Sequence, residues 1–361
     1  MNRWSVAFIL FQLLGVTAGP IASAAPPGVQ TPTTLEHLGI CDASTAVAIG
    51  SDEFLVANDE CVHRVESDDC NQLLVYKSKA SGRALKGIDI TEFMALKKKN
   101  KEADLEGSAA LGERVYWITS HARSKDGEIK ENRQRLFALE IRGTGGQVTL
   151  KAVGRPYTNL LKDLLADERF QSLTEERLKP QADPNLAAEK EGAVNIEGLA
   201  AFPGDQLLIG FRNPIAKGKA VLVPLENPGA LLSGKDRRAK LGEPILLDLG
   251  GRGIRSIELW KERSLYLIVG GPMGKPAPAA EKPFLLYQWT GSRSEPPREI
   301  AEADLTGLNP EALVVYPGLR DRFQVLSDDG EEQRGGMDCK KLADKDPAKN
   351  FRSRWIHLGL K

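Results

Sequence analysis

Residues 195–212 read Asn195-Ile196-Glu197-Gly198-Leu199-Ala200-Ala201-Phe202-Pro203-Gly204-Asp205-Gln206-Leu207-Leu208-Ile209-Gly210-Phe211-Arg212, two apolar runs split by Pro-Gly-Asp. Short apolar runs bounded by Gly, Pro and Asp are strands joined by a turn. The same unit recurs four more times if the residue opening the first strand and the residue closing the second are taken as anchors. Asp42-Ala43-Ser44 leads to Phe54-Leu55-Val56-Ala57-Asn58-Asp59, and Glu106-Gly107-Ser108 leads to Tyr116-Trp117-Ile118-Thr119-Ser120-His121. Arg255-Ser256-Ile257 leads to Tyr266-Leu267-Ile268-Val269-Gly270-Gly271, and Glu311-Ala312-Leu313 leads to Phe323-Gln324-Val325-Leu326-Ser327-Asp328.

Further strand-like runs follow each hairpin in a fixed order. Gln72 to Lys77, Arg135 to Arg142, Lys219 to Leu225, Phe284 to Thr290 and Phe351 to Leu358 read as third strands. Lys86 to Ile90, Gln147 to Val153, Pro244 to Leu249 and Glu299 to Leu305 read as fourth strands. Four strands per repeated unit predict an all-β β-propeller of five blades, or six if the wide interval after the second unit hides a degenerate one. The fifth unit runs out of chain before its fourth strand, and Thr34 to Ile40 is the segment expected to supply it and close the ring. In that interval Leu160, Leu161, Leu164, Leu165 and Phe170 recur at helical spacing, so 157–194 reads as a helical insertion and polar connector on one rim. The run Lys97-Lys98-Lys99-Asn100-Lys101 reads as a solvated loop.

The 361 residues carry 49 basic and 49 acidic side chains and 41% hydrophobic residues, which excludes a nucleic-acid sink, a low-complexity chain and a disulfide-stapled miniprotein and leaves enough material for a core. Aromatics make up only 6% and are not interleaved with a basic stripe, so no nucleic-acid partner is expected. Arg3, the apolar run Trp4 to Val16 and Ala22-Ser23-Ala24 form an export signal ending near residue 24. The apolar run falls short of the roughly 20 residues that span a bilayer. The expected layout is therefore signal peptide 1–24, flexible leader 25–33 and one propeller domain over 34–361. A soluble monomer in the periplasm or secreted follows, with an uncleaved N-terminal anchor as the alternative.

Export favours pairing of the four cysteines. Cys61 and Cys70 bracket a short polar loop that suits a hairpin staple, and Cys41 and Cys339 would clasp the two ends of a closed ring. A zinc site is disfavoured, because no cysteines sit two apart and no histidine flanks them at ligand spacing.

The strings Cys41-Asp42-Ala43-Ser44, Asn195-Ile196-Glu197-Gly198-Leu199-Ala200, Gly210-Phe211-Arg212-Asn213-Pro214, Gly253-Ile254-Arg255-Ser256 and Leu326-Ser327-Asp328-Asp329-Gly330 occur in this order. Together they resemble a bacterial family catalogued as domain of unknown function 3616, over about Gly39 to Arg354. That family is similar at a distance to the phytase-like propellers. The resemblance implies the architecture and transfers no activity.

In an antiparallel hairpin the start of the first strand and the end of the second share one edge. With the first strand innermost, the anchors of all units should meet on one face of the hub. This gathers Asp42, Asp59, Glu60, Glu106, His121, Glu197, Arg212, Arg255, Glu311, Asp328 and Asp329, with Asp104, Asn195 and Asn309 nearby. So many carboxylates need either a cation or the arginines as counterweight. Calcium would find oxygen ligands here, and arginine forks suit phosphate or carboxylate groups. The leading expectation is a propeller that binds a polar or anionic small ligand at the hub, with calcium as the candidate cofactor. A metal-assisted phosphoester hydrolase using His121 and Glu106 as acid and base is the alternative, and a protein-binding scaffold is the third. Repeated acids at blade starts also hold neighbouring blades together, and Arg255 has an ion-pairing role open to it with Glu197 or Glu311.

No Gly-x-Ser-x-Gly elbow and no two-histidine helical zinc motif is present. Gly229 to Lys235 mimics a phosphate loop but is followed by Asp236 where a hydroxyl is required.

Overall fold

The computed structural model describes Met1, residues 33–58, 71–96, 102–179, 181–274 and 283–359, and the backbone alone of 62, 63, 68 and 69. The expected signal peptide, nearly all of the 25–33 leader, Asp59, Glu60, the Cys61–Cys70 pair and the lysine cluster at 97–101 lie outside the described residues.

Each repeat folds into an antiparallel sheet whose strands follow one another outward from the hub. Blade one is Ala43–Ile49, Glu53–Asn58, Gln72–Lys77 and Lys86–Asp89. Blade two is Leu105–Leu111, Arg114–Thr119, Leu136–Arg142 and Thr149–Tyr157. Blade three is Asn195–Phe202, Gln206–Ala216, Lys219–Leu225 and Ile245–Leu247. Blade four is Gly253–Trp260, Leu265–Gly271, Leu285–Trp289 and Arg298–Glu299. Blade five takes Pro310–Val314, Arg322–Ser327 and Asn350–His357 from the end of the chain and Thr34–Leu38 from its beginning. The innermost strands touch in the cyclic order one, two, three, four, five, one, so the protein is a five-bladed β-propeller.

Period-2 alternation explains how a blade binds both neighbours. In the second strand of blade one, Leu55 and Ala57 pack toward blade two, and Phe54 and Val56 pack toward blade five. In blade two Trp117 faces blade one, while Tyr116 and Ile118 face blade three. Tyr266 and Ile268 of blade four face blade three, and Leu267 and Val269 face blade five. The core is thus five apolar seams, one between each pair of neighbouring blades.

The closing strand pairs antiparallel with Asn350–His357, Thr34 opposite Arg354 and Leu38 opposite Asn350. His37 is fully buried there, stacked on Phe351 and edge-on to Phe54 and Tyr76, with Nε2 2.8 Å from Ser353 Oγ. Cys41 and Cys339 form a disulfide just beyond this strand.

The insertion holds two short helices, Leu160–Ala166 and Glu168–Gln171. Their Leu160, Leu161, Leu164 and Phe170 enter the seam between blades two and three, where Phe170 meets Phe211. Buried Arg123 forks onto buried Glu176 at 2.9–3.1 Å and donates to the carbonyls of Gly127, Arg177, Lys179 and Gln181.

One strand reading needs correction: the fourth strand expected over Glu299 to Leu305 is instead the two residues Arg298–Glu299. Pro296 and Pro297 remove two donors just ahead, and the chain then turns, with the Ala303 amide donating to Ile300. Among the described residues no helix is long and apolar enough to cross a membrane.

Candidate functional site

A β-bulge breaks every innermost hairpin near the same edge of the propeller. The residue that the ladder skips is Ser44 in blade one, Glu106 in blade two, Glu197 in blade three, Arg255 in blade four and Glu311 in blade five. A bulge bends the strand and re-aims the extra side chain. Four of these five side chains, Glu106, Glu197, Arg255 and Glu311, line one cavity of about 400 Å3 at the hub.

Three further anchors, Asp42, Arg212 and Asp328, line the same cavity. Asp42 gets there although it is not the bulge residue of its blade: it lies two positions ahead of Ser44, whose hydroxyl turns back to the Ala57 carbonyl. A Cβ at Gly330 would run into the Asp42 carboxylate, so glycine is what lets the blade-five loop close over it.

His121 is not a lining residue, and its place has a physical reason. In blade two the bulge falls one residue earlier in the second strand than in the other blades, between Ile118 and Thr119. Ser120 therefore occupies the position that Asp328 holds in blade five: the Ser120 amide donates to Asp104, as the Asp328 amide donates to Asn309. A slip of one residue turns a side chain to the opposite face. His121 is buried, its Nδ1 2.8 Å from the Thr119 carbonyl, and burial pulls its pKa down to about 4. Asp329 is also away from the cavity, fully buried and held by Ser327 Oγ at 2.6 Å and by the Arg352 guanidinium at 2.6 and 2.7 Å.

The floor of the cavity is a chain of ion pairs. Arg212 Nη1 reaches Glu197 Oε1 at 2.9 Å, Arg255 Nη1 reaches Glu197 Oε2 at 3.0 Å, and Arg255 Nη2 contacts Glu311 Oε1. Asn195 Nδ2 adds a bond to Glu197 at 3.0 Å, and Arg212 Nε donates to the Pro272 carbonyl at 3.3 Å. Burial works against the charge on Arg212, yet Glu197 and Glu189 hold its pKa above the usual value.

Glu106 stands apart from this chain. It is only 9% exposed, and among the described residues its carboxyl has no hydrogen-bond or ion-pair partner. Burial, then Glu197 and Asp104, push its pKa well above the carboxylate range against the pull of Arg255 and Arg212. Burial likewise lifts Asp328 to about 6, although its Oδ1 accepts the Gly330 amide at 2.8 Å.

The sequence reading missed three charged lining residues: Glu189 from the connector, and Glu331 and Lys340 from the loop between the second and third strands of blade five. Lys340 had a signal, since the expected Cys41–Cys339 clasp draws its neighbour to Asp42. Glu189 had none, because connectors carry no repeat. Among the described residues no three His, Cys, Asp or Glu side chains are grouped so that they could hold one metal ion.

The family described as "Protein of unknown function (DUF3616)" matches residues 42–142 and 147–323, which include every bulge position. The chain belongs to the DUF3616 family. No curated protein matches the sequence. Among solved structures, the chain is similar to an exo-β-1,3-galactanase from Phanerochaete chrysosporium with β-1,3-galactotriose: 7% identity, TM-score 0.44, 89% of this chain and 60% of that one. It therefore spans less than two thirds of the galactanase. A GH43 β-1,3-galactosidase with galactodeoxynojirimycin gives 9% identity and TM-score 0.44, covering 89% of this chain and 91% of that one. A Trypanosoma rangeli sialidase gives 11% identity and TM-score 0.38 over 80% and 43%.

Proposed function

We propose that this member of the DUF3616 family is a binding propeller whose hub cavity takes a small polar molecule, neutral or positively charged. The observation that carries this reading is the charge content of the cavity. Asp42, Glu106, Glu189, Glu197, Glu311, Asp328 and Glu331 face Arg212, Arg255 and Lys340, seven acids against three bases. Both arginines are already engaged by Glu197 and Glu311. An anionic ligand would have to displace those carboxylates inside a net negative cavity, so the geometry favours the polar half of the expectation over the anionic half.

The hydrolase alternative loses support, since His121 and Asp329 stand away from the cavity. Calcium loses support as well, because the described carboxylates are not grouped as a ligand set. A site outside the cytoplasm fits the export signal and the Cys41–Cys339 bridge.

Thermal melting against a panel of polyols, sugars, amines, phosphate, citrate, calcium and EDTA tests this reading, because a ligand selective for the folded state raises the midpoint by mass action. Neutral or cationic members should raise it, and the rise should shrink in Asp42→Asn/Asp328→Asn. A midpoint that moves only with anions or calcium, or with nothing in the panel, overturns the proposal.

A further inference from the structure

We infer that Glu106 is the seat of a protonated nitrogen, so that the ligand of the hub is an organic amine and not merely a polyol. This rests on the binding reading above and goes further, to the ligand's chemical class. Each acid with a partner in the cavity floor has its charge met within the protein: Glu197 by Arg212 and Arg255, Glu311 by Arg255. Glu106 is aimed at the same cavity by its bulge, is 9% exposed, and has no partner among the described residues. Its carboxyl oxygens are open to the cavity, and a structural acid would have been paired as its two counterparts are.

The surroundings choose the sign of the missing partner. Glu197 and Asp104 lie close enough to oppose a negative charge on Glu106, and Arg255 and Arg212, the groups that favour it, are committed elsewhere. An ammonium placed against Glu106 supplies N–H donors and a positive charge at one point, satisfying the carboxylate and relieving its repulsion with both neighbours. A hydroxyl supplies the hydrogen bond but not the charge.

The two cases differ in their protons. Burial and the neighbouring carboxylates shift Glu106 toward its protonated form. A bound ammonium shifts it back toward the carboxylate, so binding of an amine should be accompanied by proton release. A polyol makes no such shift.

Matched pairs on the full chain decide the matter: putrescine with 1,4-butanediol, and glucosamine with glucose, titrated calorimetrically at pH 7 in buffers of different ionisation enthalpy. The amine of a pair should bind at least about tenfold tighter, the worth of one charge-assisted hydrogen bond, with proton release detected for the amine alone. In Glu106→Gln the amine-to-alcohol affinity ratio should fall toward one. Equal affinities within both pairs, or an amine preference that survives in Glu106→Gln, would overturn the inference while the hub reading stands. No binding by any of the four compounds or by the wider panel would remove the hub reading, and this inference with it. The proton count on the unaltered protein needs no variant to fold.

Discussion

Arg255 sits at the bulge position where blades two, three and five carry glutamate. Its neighbours in the ring are the two acids it binds, Glu197 of blade three and Glu311 of blade five. One change of sign in the repeat therefore gives both a cationic partner, and with Arg212 the two charges of each sign balance. Removing one member of a buried ion cluster strands the remaining charges, so Arg255→Met should cost about 3–5 kcal/mol in equilibrium urea unfolding. Adding Glu311→Gln to that variant, which leaves Glu197 paired with Arg212, should recover most of the loss. A single variant as stable as the parent would show that the floor is not held by these pairs. The convergence of Asp42, Glu106, Glu197, Arg212, Arg255, Glu311 and Asp328 on the hub was legible in the repeat. The bulges were not, because a one-residue insertion leaves no mark in a pattern read by eye at period two. That is why Ser44, not Asp42, is the counterpart of Glu106, and why Ser120 displaced His121.

At the scale of elements, hairpins and third strands could be read because both faces of each strand are buried and the apolar runs are unbroken, as in Leu73 to Tyr76 and Ala220 to Val223. Outer strands carry weaker signals, since one edge meets solvent, and the fourth strand of blade four shrank to two residues. The clasp between Cys41 and Cys339 joins residues 298 positions apart, beside the strand that closes the ring. Closing so long a loop removes much freedom from the unfolded chain, typically 2–5 kcal/mol for a native bridge. Cys41→Ala/Cys339→Ala should lower the midpoint of urea unfolding, with a loss of unfolding free energy in this range. No change in midpoint would mean that strand pairing alone keeps the ring shut.

For the molecule as a whole, acid should loosen the closure. Burial pulls His37 down to about 4 from an ordinary value near 6.5. The groups around it are Phe54, Tyr76, Phe351 and Ser353, none of them a carboxylate that would hold its proton. With the folded pKa below the unfolded one, the unfolded chain takes up the proton first as pH falls. The contribution of His37 is thus complete above about 6.5 and is lost toward 4, at about 1.4 kcal/mol per pH unit. The carboxyl of Asp328, lifted to about 6, works in the opposite sense and favours the fold as pH drops through that value. Comparing the parent with His37→Phe cancels that background: the stability difference should shrink or reverse between pH 6.5 and 4.5. A difference that does not vary with pH would show that His37 titrates normally.

The first residues of the propeller to leave the ribosome, Thr34–Leu38, have their partner strand at Asn350–His357, the last strand of the propeller to be made. Blades two, three and four can each assemble from chain already in hand. The wheel itself cannot be finished until Asn350–His357 has emerged, and Thr34–Leu38 must wait until then, unpaired with its final neighbour.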